Sequence, residues 1–122
     1  MVSRVAQPLS AHIEAGRTGT AAFAHDLRRI VAPLRAADAV VLACTHYPAA
    51  TEHFAAELPG VALVDPVVPL AADLAARHAG STTLDPGSRT FLTTGDPAAM
   101  ARAARLAWSL DLTPRQVGPA SA

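Results

Sequence analysis

Apolar positions along the chain alternate between short continuous runs and stripes at helical spacing. Val2 to Leu9 predicts a short strand broken at Pro8, leading into Ala11-His12-Ile13-Glu14-Ala15-Gly16, and Gly16 to Gly19 reads as a turn. Thr20 is then an N-cap for a helix through about Arg35, with Phe23, Leu27, Ile30, Val31 and Leu34 on one face. Pro33 marks a kink or the last turn of that helix. Ala39-Val40-Val41-Leu42-Ala43 is a continuous apolar run, the pattern of a strand buried on both faces of a parallel sheet.

A helix is expected from about Pro48 to Leu58, ended by Pro59-Gly60. Val61 to Val64 predicts the next strand. Asp65-Pro66 supplies a cap and a first helical residue for a helix to about His78. Gly80 to Gly87 reads as a loop and Arg89 to Thr93 as a further strand. Asp96-Pro97 repeats the cap-then-proline start, with a helix to about Leu110 and a frayed tail beyond. Alternating strands and helices predict an α/β fold, a parallel sheet with flanking helices.

Composition narrows the class. The 122 residues suit one ordinary domain, and 51% are hydrophobic against 16% charged, the opposite of a disordered chain. Ten basic residues, all arginine, balance ten acidic ones to net charge zero. They are scattered, so no basic footprint points to nucleic acid. No apolar run approaches the roughly 20 residues of a membrane span, and the first residues lack the apolar core of a signal peptide. A single cysteine gives no internal disulfide. The expectation is a cytoplasmic protein without nucleic-acid or membrane partners.

That cysteine, Cys44, falls just past the apolar run and just before Pro48. In an open α/β sheet, ligands bind outside the carboxyl ends of the strands. Unpaired N–H groups of a following helix would hold a carboxylate and favour thiolate over thiol. Thr45 adds a hydroxyl donor and His46 an imidazole that titrates near neutral pH. Together these groups suit proton abstraction beside a carboxylate. The same pattern also fits a small buried hydrophobe, with Thr45 as a cap and His46 as a surface residue. A metal is not expected: Cys44, His46 and His53 match no common zinc spacing. Thr94-Gly95-Asp96 is explained by a plain cap, and His12, His25 and His78 read as surface or helix residues.

The run Ala39 to Pro48, with Cys44-Thr45-His46-Tyr47-Pro48 at its end, resembles the second cysteine motif of the aspartate/glutamate racemase family, specifically the glutamate racemases. Its flanks are similar too. Ala6-Gln7-Pro8-Leu9 through Ile13-Glu14-Ala15-Gly16 looks like the family segment that ends in a glutamate before glycine. Ala32-Pro33-Leu34, Val64-Asp65 and Phe91-Leu92-Thr93-Thr94-Gly95-Asp96 follow in the family's order, so the resemblance covers about residues 5 to 112.

The resemblance implies a cofactor-independent racemase in which two cysteines flank the substrate α-carbon, interconverting L- and D-glutamate for peptidoglycan synthesis. Cys44 would be one of them, assisted by His46, with Thr45 on the substrate carboxylate and Glu14 as the active-site glutamate beside the histidine. It also implies that residues 1–70 belong to the second lobe of a two-lobed fold. Residues 71–112 would return to the first lobe, and 113–122 would be a flexible tail. The chain thus resembles the C-terminal half.

Departures from the family bear on activity. The first half carries the other cysteine, and no second cysteine is present here. Gln7 stands where the family often has cysteine, Ala43 where it has glycine and Pro66 where it has serine. The chain alone is therefore expected to be inactive. The alternatives are a non-catalytic remnant or interaction module, a homo-oligomer pairing two Cys44 thiols, and a partner supplying the first lobe.

Overall fold

The computed structural model describes residues 1–79 and 88–118, so the Gly80 to Gly87 loop lies outside the described residues. Helix α1 spans Gln7–Glu14, with Pro8 in its first turn. The strand expected over Val2 to Leu9 is therefore replaced by an extended lead-in and a helix. Proline lacks only an N–H that a first turn leaves unpaired anyway, so it starts this element instead of breaking it. Leu9, Ser10 and Ile13 are the buried positions, one stripe of the helix. Gly16 ends the turn after α1 at φ +64°, where a Cβ would also meet the Leu106 side chain at 3.1 Å.

Helix α2, Ala21–Val31, starts as expected: the Thr20 hydroxyl accepts the Phe23 N–H at 3.2 Å. Phe23, Leu27, Ile30 and Val31 form its buried face. Pro33 lies in a 3₁₀ turn, Ala32–Leu34, that closes the helix. Strand β1, Ala39–Val41, pairs in parallel with β2, Ala62–Val64, in the register Val40 to Leu63. The intervening segment is a 3₁₀ turn, Tyr47–Ala50, followed by helix α3, Thr51–Glu57. Pro48 thus opens the 3₁₀ turn, and the α-helix begins later than expected. Glu57 at the end of α3 binds Arg28 at 3.3 Å and Arg35 at 2.8 Å, tying α3 to α2 and the turn after it.

Burial on both faces of β1 does not hold. Val40 and Leu63 pack against the core, while Val41 is 57% and Val64 41% exposed on the opposite face. Strand side chains alternate sides, and within this chain only one side meets the helices.

Helix α4, Val67–His78, follows β2, with the Asp65 carboxylate accepting the Val67 N–H at 2.9 Å. Strand β3, Leu92–Thr93, is shorter than the expected run from Arg89. Asp96 caps helix α5, Pro97–Trp108, by accepting from Ala98 and Ala99. The tail is not frayed throughout: Arg115–Gln116 form β4, which pairs in parallel with β3 through Arg115 N–H to Phe91 and Val117 N–H to Thr93, both at 2.9 Å. Two short backbone bonds with a remote strand leave no periodic signal. The α/β class with parallel pairing is as expected, built among the described residues from two separate strand pairs.

Candidate active site

Cys44 follows Leu42, whose side chain is buried at the end of β1 and anchors the segment. Two tight turns then redirect the chain, with the Ala43 N–H on the Val41 carbonyl and the Cys44 N–H on Leu42 at 2.8 Å. The Cys44 side chain emerges half-buried. Its sulfur lies 3.5 Å from His46 Nδ1, and His46 Nε2 lies 2.7 Å from Glu14 Oε1. Thiol, imidazole and carboxylate therefore form one chain of contacts, with α1 supplying the carboxylate.

Burial, the largest single influence, pushes the Cys44 thiol up. The His46 backbone N–H, the His46 ring, the Ser10 hydroxyl and the charge of the ring together outweigh it, and the thiol is lowered from its ordinary value. Burial likewise pulls His46 down, but the Cys44 sulfur and the Glu14 carboxylate reverse it, so the imidazole is raised. The two shifts have opposite directions and share one cause, the contact between the sulfur and the ring. Both shifts move the pair toward a thiolate beside an imidazolium. The source of the lowering differs from the expected helix N-terminus, because the α-helix starts only at Thr51 and the nearby His46 N–H does that work.

Of the four residues singled out from the sequence, Cys44, His46 and Glu14 come together. Thr45 lies between Cys44 and His46 in the chain and is exposed. Sequence reasoning missed two neighbours. Ser10 is 8% exposed, with its hydroxyl 3.9 Å from the Cys44 sulfur. The half-buried Tyr47 hydroxyl lies against both, and burial pushes it up. Ser10 stands one helical turn before Glu14, a spacing that was readable once α1 was known to be a helix.

A cavity of about 940 Å³ lies away from the thiol. It lies between the lead-in before α1 and β1, and reaches the site only through Ala43 and Tyr47. Cys44, His46 and Glu14 sit outside it on open surface. His12 bonds Asp26 at 3.2 Å away from this cluster. Among the described residues no group of three or more metal-binding side chains gathers.

The sequence and the fold are similar to those of known proteins. The chain is 39% identical over 100 residues to a glutamate racemase of Parafrankia sp., an alignment covering 75% of this chain and 36% of that one. The chain is homologous to glutamate racemases. A crystal structure of the Thermus thermophilus glutamate racemase in complex with β-chloro-D-alanine superimposes with a TM-score of 0.77 at 28% identity, covering 94% of this chain and 46% of that one. The Bacillus anthracis isoform RacE1 gives 0.78 at 21% identity over the same shares, a likeness of fold. The chain thus spans less than half the length of the relatives it matches, consistent with resemblance to one half of a racemase. No protein-family model matches. Among the described residues, no helix is long and apolar enough to cross a membrane.

Proposed function

We propose that this chain supplies one side of a glutamate racemase active site, with Cys44 as one of the two acid–base groups. The reading rests on one observation, the contact chain from Cys44 through His46 to Glu14. In this scheme the Cys44 thiolate takes the α-proton from one glutamate enantiomer. The electron pair left on the α-carbon is shared with the neighbouring carboxylate, and an acid on the opposite face returns a proton to invert the centre. His46, held by Glu14, stabilises the thiolate and assists transfer at the sulfur. Thr45, exposed beside it, binds the substrate carboxylate. No cofactor is needed, and the D-glutamate formed serves peptidoglycan synthesis in the cytoplasm, and through it the wall and cell shape.

The opposite-face acid must come from outside these 122 residues, which hold one cysteine. Residues 1–70 then act as the second-lobe segment, and 71–112 dock on a first lobe. That lobe, or a second copy of the chain, would also cover the apolar face of β1 and β2, where Val41 and Val64 are exposed.

Circular dichroism of either enantiomer over time tests the reading. The chain alone is expected to give no racemisation. Adding the N-terminal half of the Parafrankia relative should produce turnover that Cys44→Ala abolishes. Turnover by a demonstrated monomer would overturn the one-sided assignment. A stable complex with no turnover would instead favour a non-catalytic interaction module.

A further inference from the structure

Ser10 is the one buried polar residue among the described residues, on a helix stripe otherwise made of Leu9 and Ile13. A hydroxyl buried there costs free energy unless it is bonded, and alanine would fill the same space without that cost. Its side-chain partner is the Cys44 sulfur at 3.9 Å, across 34 residues of chain, with the Tyr47 hydroxyl alongside. One turn later on the same helix, Glu14 reaches His46. A single face of α1 therefore touches both members of the thiol–imidazole pair.

We propose that Ser10 is a positioning residue for Cys44, its hydroxyl holding the sulfur and donating to it when it is a thiolate. The proposal rests on the acid–base role given to Cys44 above. A thiolate only accepts, so Ser10 O–H and the His46 N–H groups approach it from different elements. When the sulfur takes up a proton, the Ser10 hydroxyl turns and its oxygen accepts from S–H, so the contact survives both states. His46 sets the charge of the pair, whereas Ser10 sets where the sulfur points. The contact lies at the long end for sulfur, so its effect is smaller than that of His46.

The rate of Cys44 alkylation by iodoacetamide against pH tests this on the full chain, with the urea-unfolded chain as reference. The folded chain should titrate below the unfolded one. Ser10→Ala is expected to move the midpoint back upward by about half a unit to one unit, an approximately threefold to tenfold loss of thiolate near neutral pH. Ser10→Thr and Ser10→Val have the same shape, so Thr should keep the low midpoint and Val should lose it whatever either does to stability. His46→Ala, measured in parallel, should shift the midpoint further. Coincident profiles for wild type, Ser10→Ala and Ser10→Val, with His46→Ala still shifted, would remove Ser10 from the site and leave the role of Cys44 standing. A wild-type midpoint at or above the unfolded value would instead sink the reading of Cys44 itself.

Discussion

The chain has two regions built from similar sequence and buried very differently. From Ala6 to Leu58, eleven hydrophobic residues form one core, including Leu9, Ile13, Phe23, Leu27, Val31 and Phe54. Beyond Leu58 the helices are just as apolar, yet α4 and α5 bury no residue completely. Val67, Val68, Leu70 and Leu74 of α4 are about half exposed or more. Helix α5 touches α1 through Leu106 at Gly16, but Leu106 itself is 59% exposed, and Trp108 and Leu110 beyond it are likewise exposed. An apolar stripe shows that a helix needs a partner surface, and does not say that the surface lies in the same chain. The candidate site belongs to the buried region, since Ser10, Glu14, Cys44 and His46 all come from it.

Core truncation should separate the two regions most strongly. Phe23→Ala empties the centre of the first region and is expected to cost about 3–5 kcal/mol, whereas Leu74→Ala on α4 should cost about 0.5 kcal/mol or less. Urea denaturation read by circular dichroism gives both values. Equal costs would mean that α4 is packed in solution and would erase the contrast.

Association is the next consequence. Exposed apolar residues on α4, on α5 and on the outer face of β1 and β2 should draw copies together, so dimers or larger species are expected by light scattering. Val68→Glu with Leu74→Glu should reduce the association without loss of helix signal. A compact monomer at high concentration that binds no hydrophobic dye would contradict the bare-surface reading.

A smaller effect concerns the caps at Thr20 and Asp96. Thr20→Ala should cost about 1 kcal/mol of global stability, because α2 belongs to the core and its unfolding is the unfolding of the region. Asp96→Ala removes acceptors for Ala98 and Ala99 at the start of α5, a helix that buries no residue completely. Hydrogen exchange should then speed up in the first turns of α5 alone, with the urea midpoint nearly unchanged. A matching global loss from Asp96→Ala would join the regions into one cooperative unit.

The Cys44–His46 pair adds a pH dependence. The thiol is lowered by folding, so its contribution to stability is present above the ordinary thiol range and fades as pH falls through the folded value. The raised imidazole of His46 contributes below its ordinary value and loses that contribution as pH rises through the folded one. His46 is a third exposed, so solvent screens the pair and the effect on global stability is small.

Much was legible without a structure because it is local. The Thr20 and Asp96 caps, the apolar face of α2, the turn at Pro33 and the parallel-strand class all follow from residues within a few positions of each other. So does the Cys44-Thr45-His46 motif. The misleading signal is local too: Pro8 reads as a break in a strand yet lies in the first turn of a helix, because proline suits both places. What only the tertiary structure decided is which distant groups meet. Ser10 reaches Cys44 and Arg115–Gln116 pair with β3, each across a separation that no periodicity encodes, whereas the Glu14–His46 contact is the one that the family resemblance already implies. Backbone propensity acts over a turn or two, whereas these encounters depend on how α1 packs beside the strand end, and that packing is set by the shared core of Leu9, Ile13 and Phe23.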